Sequence, residues 1–160
     1  MESGIESTAP RPTGAATADP PCGSCARWAR RAGLLQAGNA GPNRTALAEF
    51  LIHGLPYVLA VHPGRRTRGM PTGFAAAPLR ELFPVAPDDP DLPVWPDAEG
   101  PSFGVEIRPL CRSAPFAARQ DPALYEWLVL TDVLRGAGRA REREAAERIV
   151  RERMGYHAAG

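Results

Sequence analysis

The segment VHPGRRTRGMPTG, residues 61–73, sets Arg65, Arg66 and Arg68 among glycines and prolines. A guanidinium is a planar fork of donors that fits phosphate and carboxylate oxygens. Contact with phosphate is therefore the chemistry these residues offer. Their order is not that of a P-loop, GxxxxGK followed by Ser or Thr, so an enzymatic nucleotide cradle is not expected. A second set, Arg27, Arg30 and Arg31 in ARWARRAGLL, falls at helical spacing on one face. Arg65 to Arg80 holds four arginines and no acid, and Glu81 to Glu99 then holds six acids (Glu81, Asp88, Asp89, Asp91, Asp97 and Glu99) and no base. Three states are open for Arg65, Arg66 and Arg68: a phosphate contact, a plain surface loop, or a loop neutralised internally by these acids.

Other reactive residues do not assemble into a site. Cys22 and Cys25 form a CxxC, but a zinc site needs four ligands. Cys111 stands alone, and His53, His62 and His157 have no ligand spacing. A redox CxxC opens a helix after a strand, and no strand is expected before Cys22. Ser102, Ser113 and Cys111 lie in no GxSxG elbow and beside no histidine. His53 reads as a helix-end residue. The acids of 88–99 lack the spacing of a calcium loop. The expectation is a protein that is not an enzyme, with no metal and no cofactor.

Bulk properties agree with a modest, water-facing domain. Net charge is +1, so attraction to nucleic acid must come from local clusters. All 19 basic residues are arginine, a bias shared with abundant Ala, Gly and Pro, so the position of an arginine matters more than its presence. No apolar run approaches the ~20 residues that span a bilayer. The first residues, MESGIESTAP, do not read as a signal peptide, and three cysteines make no disulfide framework. A cytoplasmic location and no membrane partner are expected.

The elements that would position the arginines read as follows. Residues 1–21, rich in Pro, Ala, Thr and Ser, read as a disordered tail. A helix is expected from a Ser24 cap to about Leu35, with Cys25, Trp28, Ala29 and Ala32 as its apolar face. A second runs from Asn43 to Gly54, burying Leu47, Phe50 and Leu51, and YVLAV (57–61) reads as a strand between Pro56 and Pro63. Residues 63–101 read as a Pro-rich charged loop with a short helix near Pro78–Phe83. In FGVEIRPL (103–110), Phe103, Val105 and Ile107 alternate with Gly104, Glu106 and Arg108, a strand expected to pair antiparallel with 57–61. Asp121, Pro122 and Gly136 frame a helix bearing Leu124, Trp127, Leu128, Leu130 and Leu134. A charged helix follows, with Glu144–Arg148 and Glu147–Arg151 pairs and a stripe of Ala146, Ile149 and Val150. The expected fold class is α+β: a small helical domain on a two- or three-stranded antiparallel ribbon, winged-helix-like. Its parts are a tail (1–21), a partial helix-turn-helix-like segment with the first strand (22–62), the charged loop (63–101), and a strand with two helices (102–160).

ARWARRAGLL resembles the recognition helix and closing turn of a winged-helix, MarR-like bacterial regulator. Residues 46–145, through ALAEFLIHGLPYV, TRGMPT, PVWPD and PLCRSAPFAARQDPALYEWLVLTDVLRGAGRARERE, resemble the body of a little-characterised bacterial family of that type. Its members carry a complete helix-turn-helix ahead of this body; here that place holds the Pro/Thr/Ala tail, a truncated or degenerate head. The resemblance implies a DNA-binding, transcription-regulatory protein contacting double-stranded DNA. Arg27, Arg30 and Arg31 would face the major groove, and Arg65, Arg66 and Arg68 would touch the flanking backbone as a wing does. The alternative is a non-enzymatic adaptor docking a protein partner through the Trp127 helix and the charged C-terminal helix.

Overall fold

The computed structural model describes residues 23–36, 38, 41–86 and 89–156. The chain divides into two units, residues 1–41 and 42–160. The expected tail, Cys22, Asp88 and His157 lie outside the described residues.

In the first unit, α1 spans Gly23–Arg31. It ends short of the expected Leu35 because Gly33 turns left-handed at φ 72°. The Leu34 amide then reaches the Ala29 carbonyl (2.9 Å) and the Gly33 amide that of Arg30 (3.0 Å), the paired bonds of a Schellman stop. On the expected apolar face Trp28 is 68% exposed, with the Arg31 guanidinium 5.5 Å from its ring centroid.

In the second unit, Asn43 accepts the Ala46 amide and starts α2 (Arg44–Glu49). The helix does not stop at Gly54. It widens through a π-turn, Phe50–Gly54, and continues as α3, Leu55–Val58. Pro56 explains the change. It has no amide to donate, and the wider turn lets the chain pass a proline without a break. Gly54 is small because a Cβ there would lie 2.9 Å from the Phe50 ring. The fully buried positions are Ala48, Ile52 and Leu55; the expected Leu47, Phe50 and Leu51 are half-buried, Leu51 against the helical core. Residues 57–61 are therefore not a strand. Leaving the helix, the Val61 amide donates to the Arg135 carbonyl at 3.0 Å. One continuous rod over 44–58 is also not a helix-turn-helix.

Residues 63–101 are folded rather than a loop. They hold β1 (Arg66–Pro71), single turns at Gly73–Ala75 and Leu79–Glu81, and β2 (Pro93–Pro96). Phe74, Leu79, Val94 and Trp95 among them are buried. The third strand, β3, is Ser102–Glu106. β1 pairs antiparallel with both others, and β2 pairs parallel with β3 at Pro93↔Val105 and Val94↔Glu106, closing a three-stranded barrel. The fold class is α+β, with a mixed sheet in place of an antiparallel ribbon.

Closure at so small a radius needs backbones in near contact. An added Cβ would stand 2.0 Å from the Trp95 carbonyl oxygen at Gly69 and 1.9 Å from that of Leu92 at Gly104. Only glycine fits. This also departs from the expected face within β3: Gly104 turns inward and Phe103 points out, 57% exposed, while Ile107, just past the strand, is buried as expected. Substituting alanine for Gly104 is expected to cost at least roughly 2 kcal/mol, since the strand must shift to admit the methyl. Urea unfolding of Gly104→Ala beside wild type measures it.

The helices complete the unit. After α4 (Ala114–Gln120), Asp121 accepts the Ala123 and Leu124 amides and opens α5, Pro122–Asp132, as its sequence signals. A π-turn, Val133–Ala137, with Gly136 at φ 122°, leads into α6, Ala140–Met154. Ala48, Ile52, Leu79, Leu130, Leu134, Ala146 and Val150 share one core across α2, the turns, α5 and α6. Among the described residues no helix is long and apolar enough to cross a membrane.

Candidate nucleic-acid interface

Arg27, Arg30 and Arg31 lie on α1 in the first unit, and Arg65, Arg66 and Arg68 at β1 in the second. All six are exposed. α1 carries no acid along its length, so its face is cationic throughout. Spacing at i, i+3 and i+4 keeps the three guanidinium groups on one side.

At β1, Arg66 and Arg68 are strand residues rather than part of a loop, and they alternate onto one face. β3 supplies the rest of that face: Arg68 stands opposite Phe103, and Arg66 opposite Val105. The Arg66 guanidinium lies 5.5 Å from the Phe103 ring centroid. Arg68 donates through Nη1 to the Gly100 carbonyl at 3.2 Å and so braces the turn between β2 and β3. Arg65 is 89% exposed and stands 4.0 Å from the Glu106 carboxylate, a pair too solvated to hold it firmly.

Among the described residues, the ion pairs of the acidic block go to other arginines. Asp97 pairs with Arg119 of α4, and Asp91 stands 3.7 Å from Arg139. The partner found at Arg65 is Glu106, from outside the block.

The strongest polar assembly was not among the sequence candidates. Asp132 (1% exposed) and Arg135 (5% exposed) form a buried ion pair, with Arg135 Nε and Nη2 at 2.9 and 2.7 Å from Asp132 Oδ1. The other carboxylate oxygen accepts the Thr72 hydroxyl at 2.7 Å and the Trp95 indole N–H. Arg135 also donates to the Arg108 carbonyl. Burial pushes the Asp132 carboxyl above its usual range; the Arg135 charge and the donations from Thr72, Arg135 and Trp95 pull it back. Every bond joins this group to its own fold, so it ties α5 to the barrel. The signal was present as an i, i+3 acid–arginine pair inside the apolar run of LVLTDVLRG.

Beside it, Tyr125 packs edge-on against Trp95 (5.7 Å between centroids) and donates to the Pro71 carbonyl at 2.6 Å. Burial raises its phenol to about 12, against the lowering effect of Arg80. A raised folded-state value means that the stability from this protonated phenol is full below the unfolded pKa of 10.0 and is lost as pH climbs toward about 12. Of the three tyrosines, one is expected to titrate late in a 295 nm absorbance titration, and Tyr125→Phe to remove that late step. A late step that persists in the variant would contradict the assignment.

The remaining candidates stay apart. Cys111 is an exposed thiol 3.5 Å from the Ser113 hydroxyl. His53 sits exposed on the first π-turn and His62 after α3. Among the described residues no three His, Cys, Asp or Glu side chains group closely enough to hold a metal ion. A shallow cleft beside β3, lined by Pro63, Phe74, Ile107 and Arg139, encloses about 240 Å³. Its arginine is already engaged by the Phe74 ring (5.9 Å) and Asp91. Trp127 is half-buried on the helical core, with the Arg153 guanidinium 5.7 Å from its ring centroid. Compared with protein-family models, curated proteins and solved structures, the chain matches none.

Proposed function

We propose that the chain is a DNA-binding, regulator-type protein with a reduced winged-helix-like head, which grips double-stranded DNA through arginine–phosphate contacts. The observation that supports it most is α1: three exposed arginines on one face, no acid along the helix, and a firm glycine stop behind them. Such a helix presents concentrated positive charge to a phosphate backbone. The rod over 44–58 supplies no helix-turn-helix. Binding is accordingly expected to be strong in salt dependence and weak in sequence discrimination. Titration of a labelled duplex at two salt concentrations tests it.

A second reading, a protein-docking adaptor, has one observation in its favour: Tyr57, Val58 and Leu59 are exposed together at the end of α3. On that reading, replacing these residues with serine abolishes a stable complex with a protein partner and leaves duplex binding unchanged.

A further inference from the structure

We propose that the outward face of β1 and β3 is a stacking platform for an unpaired base of a single-stranded nucleic acid. Phe103 is its ring, and Arg66 and Arg68 are the cations beside it. The proposal rests on the nucleic-acid reading above, but names another strand state and another surface.

Four features carry it. The register places Arg68 directly across from Phe103 and Arg66 across from Val105, so ring and guanidinium groups share one face. Phe103 is outward because Gly104 must be inward, where its hydrogen takes the place of a Cβ against the Leu92 carbonyl. The ring is therefore held out by a closed backbone, and little freedom is lost when a base lies on it. The Arg66 guanidinium rests on the same ring, 5.5 Å from its centroid. Finally, Asp97, the acid whose amide bonds the Arg68 carbonyl, is paired with Arg119, so its charge is already answered at this edge.

Aromatic rings flanked by cations are how proteins hold unpaired strands: bases stack and the backbone follows the charge. A base within a duplex is already stacked on its neighbours and cannot reach such a ring. An acidic peptide would use the arginines but gain nothing from Phe103.

The test is fluorescence anisotropy with the full chain and labelled oligo-dT of about 15 nucleotides, a length that covers one small-barrel site. An abasic strand of equal length and a polyglutamate peptide serve as comparators. Phe103→Leu is expected to weaken oligo-dT binding roughly tenfold and to leave abasic binding within about twofold. Phe103→Trp is expected to keep or tighten it. Equal oligo-dT binding by Phe103→Leu and wild type would overturn the proposal. So would equal affinity for the abasic strand, equal affinity for the peptide, or no binding of oligo-dT at all. Duplex binding through α1 is scored separately with α1 variants, so either reading can fail while the other stands.

Discussion

Replacing Arg135 with alanine is expected to lower the unfolding free energy of residues 42–160 by about 3–5 kcal/mol. The cause is what remains. Asp132 would keep its burial and its bonds to Thr72 and Trp95 but lose the cation paired with it. An uncompensated carboxylate in that setting takes up a proton where pH allows, since burial already pushes its pKa upward. The sign follows. With the folded-state value raised above the unfolded one, the contribution to stability is present in acid and falls as pH rises through the folded value. Arg135→Ala should accordingly be penalised more at pH 8 than at pH 5. Asp132→Ala leaves a buried guanidinium that cannot shed its charge, so its penalty should not ease in acid. Replacing both, as Asp132→Leu with Arg135→Met, should recover part of the loss, leaving the Thr72 and Trp95 donors without an acceptor and the Arg108 carbonyl without its donor. Urea unfolding at the two pH values measures all three. A small penalty for Arg135→Ala at both pH values would show that the pair does not tie α5 to the barrel.

The second large effect concerns α1. The triple variant Arg27→Gln, Arg30→Gln, Arg31→Gln removes all charge from one exposed face while keeping three good helix formers. Duplex binding is expected to weaken on the order of tenfold to a hundredfold at low salt. The slope of log affinity against log salt should flatten by about 2.7 units, at about 0.9 for each phosphate that the helix no longer neutralises. Because these arginines meet phosphate, different duplex sequences should weaken alike. Far-ultraviolet circular dichroism matching wild type would assign the loss to charge and not to unfolding.

What was legible in the sequence were the elements that carry local punctuation. Asn43 and the Asp121–Pro122 pair mark helix starts by chemistry a single residue can supply, and both helices begin there. α6 announced itself by its charge periodicity. The barrel was illegible for the opposite reason. β1 and β2 are six and four residues long and hold Pro71, Pro93 and Pro96, so these proline-bearing strands read as loop, whereas the proline-free β3 read as a strand. Their pairing is set by Gly69 and Gly104, whose meaning is a close approach of distant backbone and not a turn. Pro56 misled in the same way: it looked like a boundary, but a π-turn carries the helix past it. The arginines of the candidate site were visible by type and spacing. Phe103 was missed as their neighbour because alternation alone would bury it, and only the narrow interior forces it out. The bond between Thr72 and Asp132 spans 60 positions, and no local pattern encodes it.

The most direct test of the proposed function is a titration of purified full chain against a labelled duplex at about 50 and about 200 mM salt, concentrations between which phosphate-driven binding changes steeply. The expected result is binding at the lower salt that weakens steeply at the higher, with the α1 triple variant showing the flatter slope. Absence of binding at the lower salt, or binding indifferent to both salt and the three arginines, would contradict it.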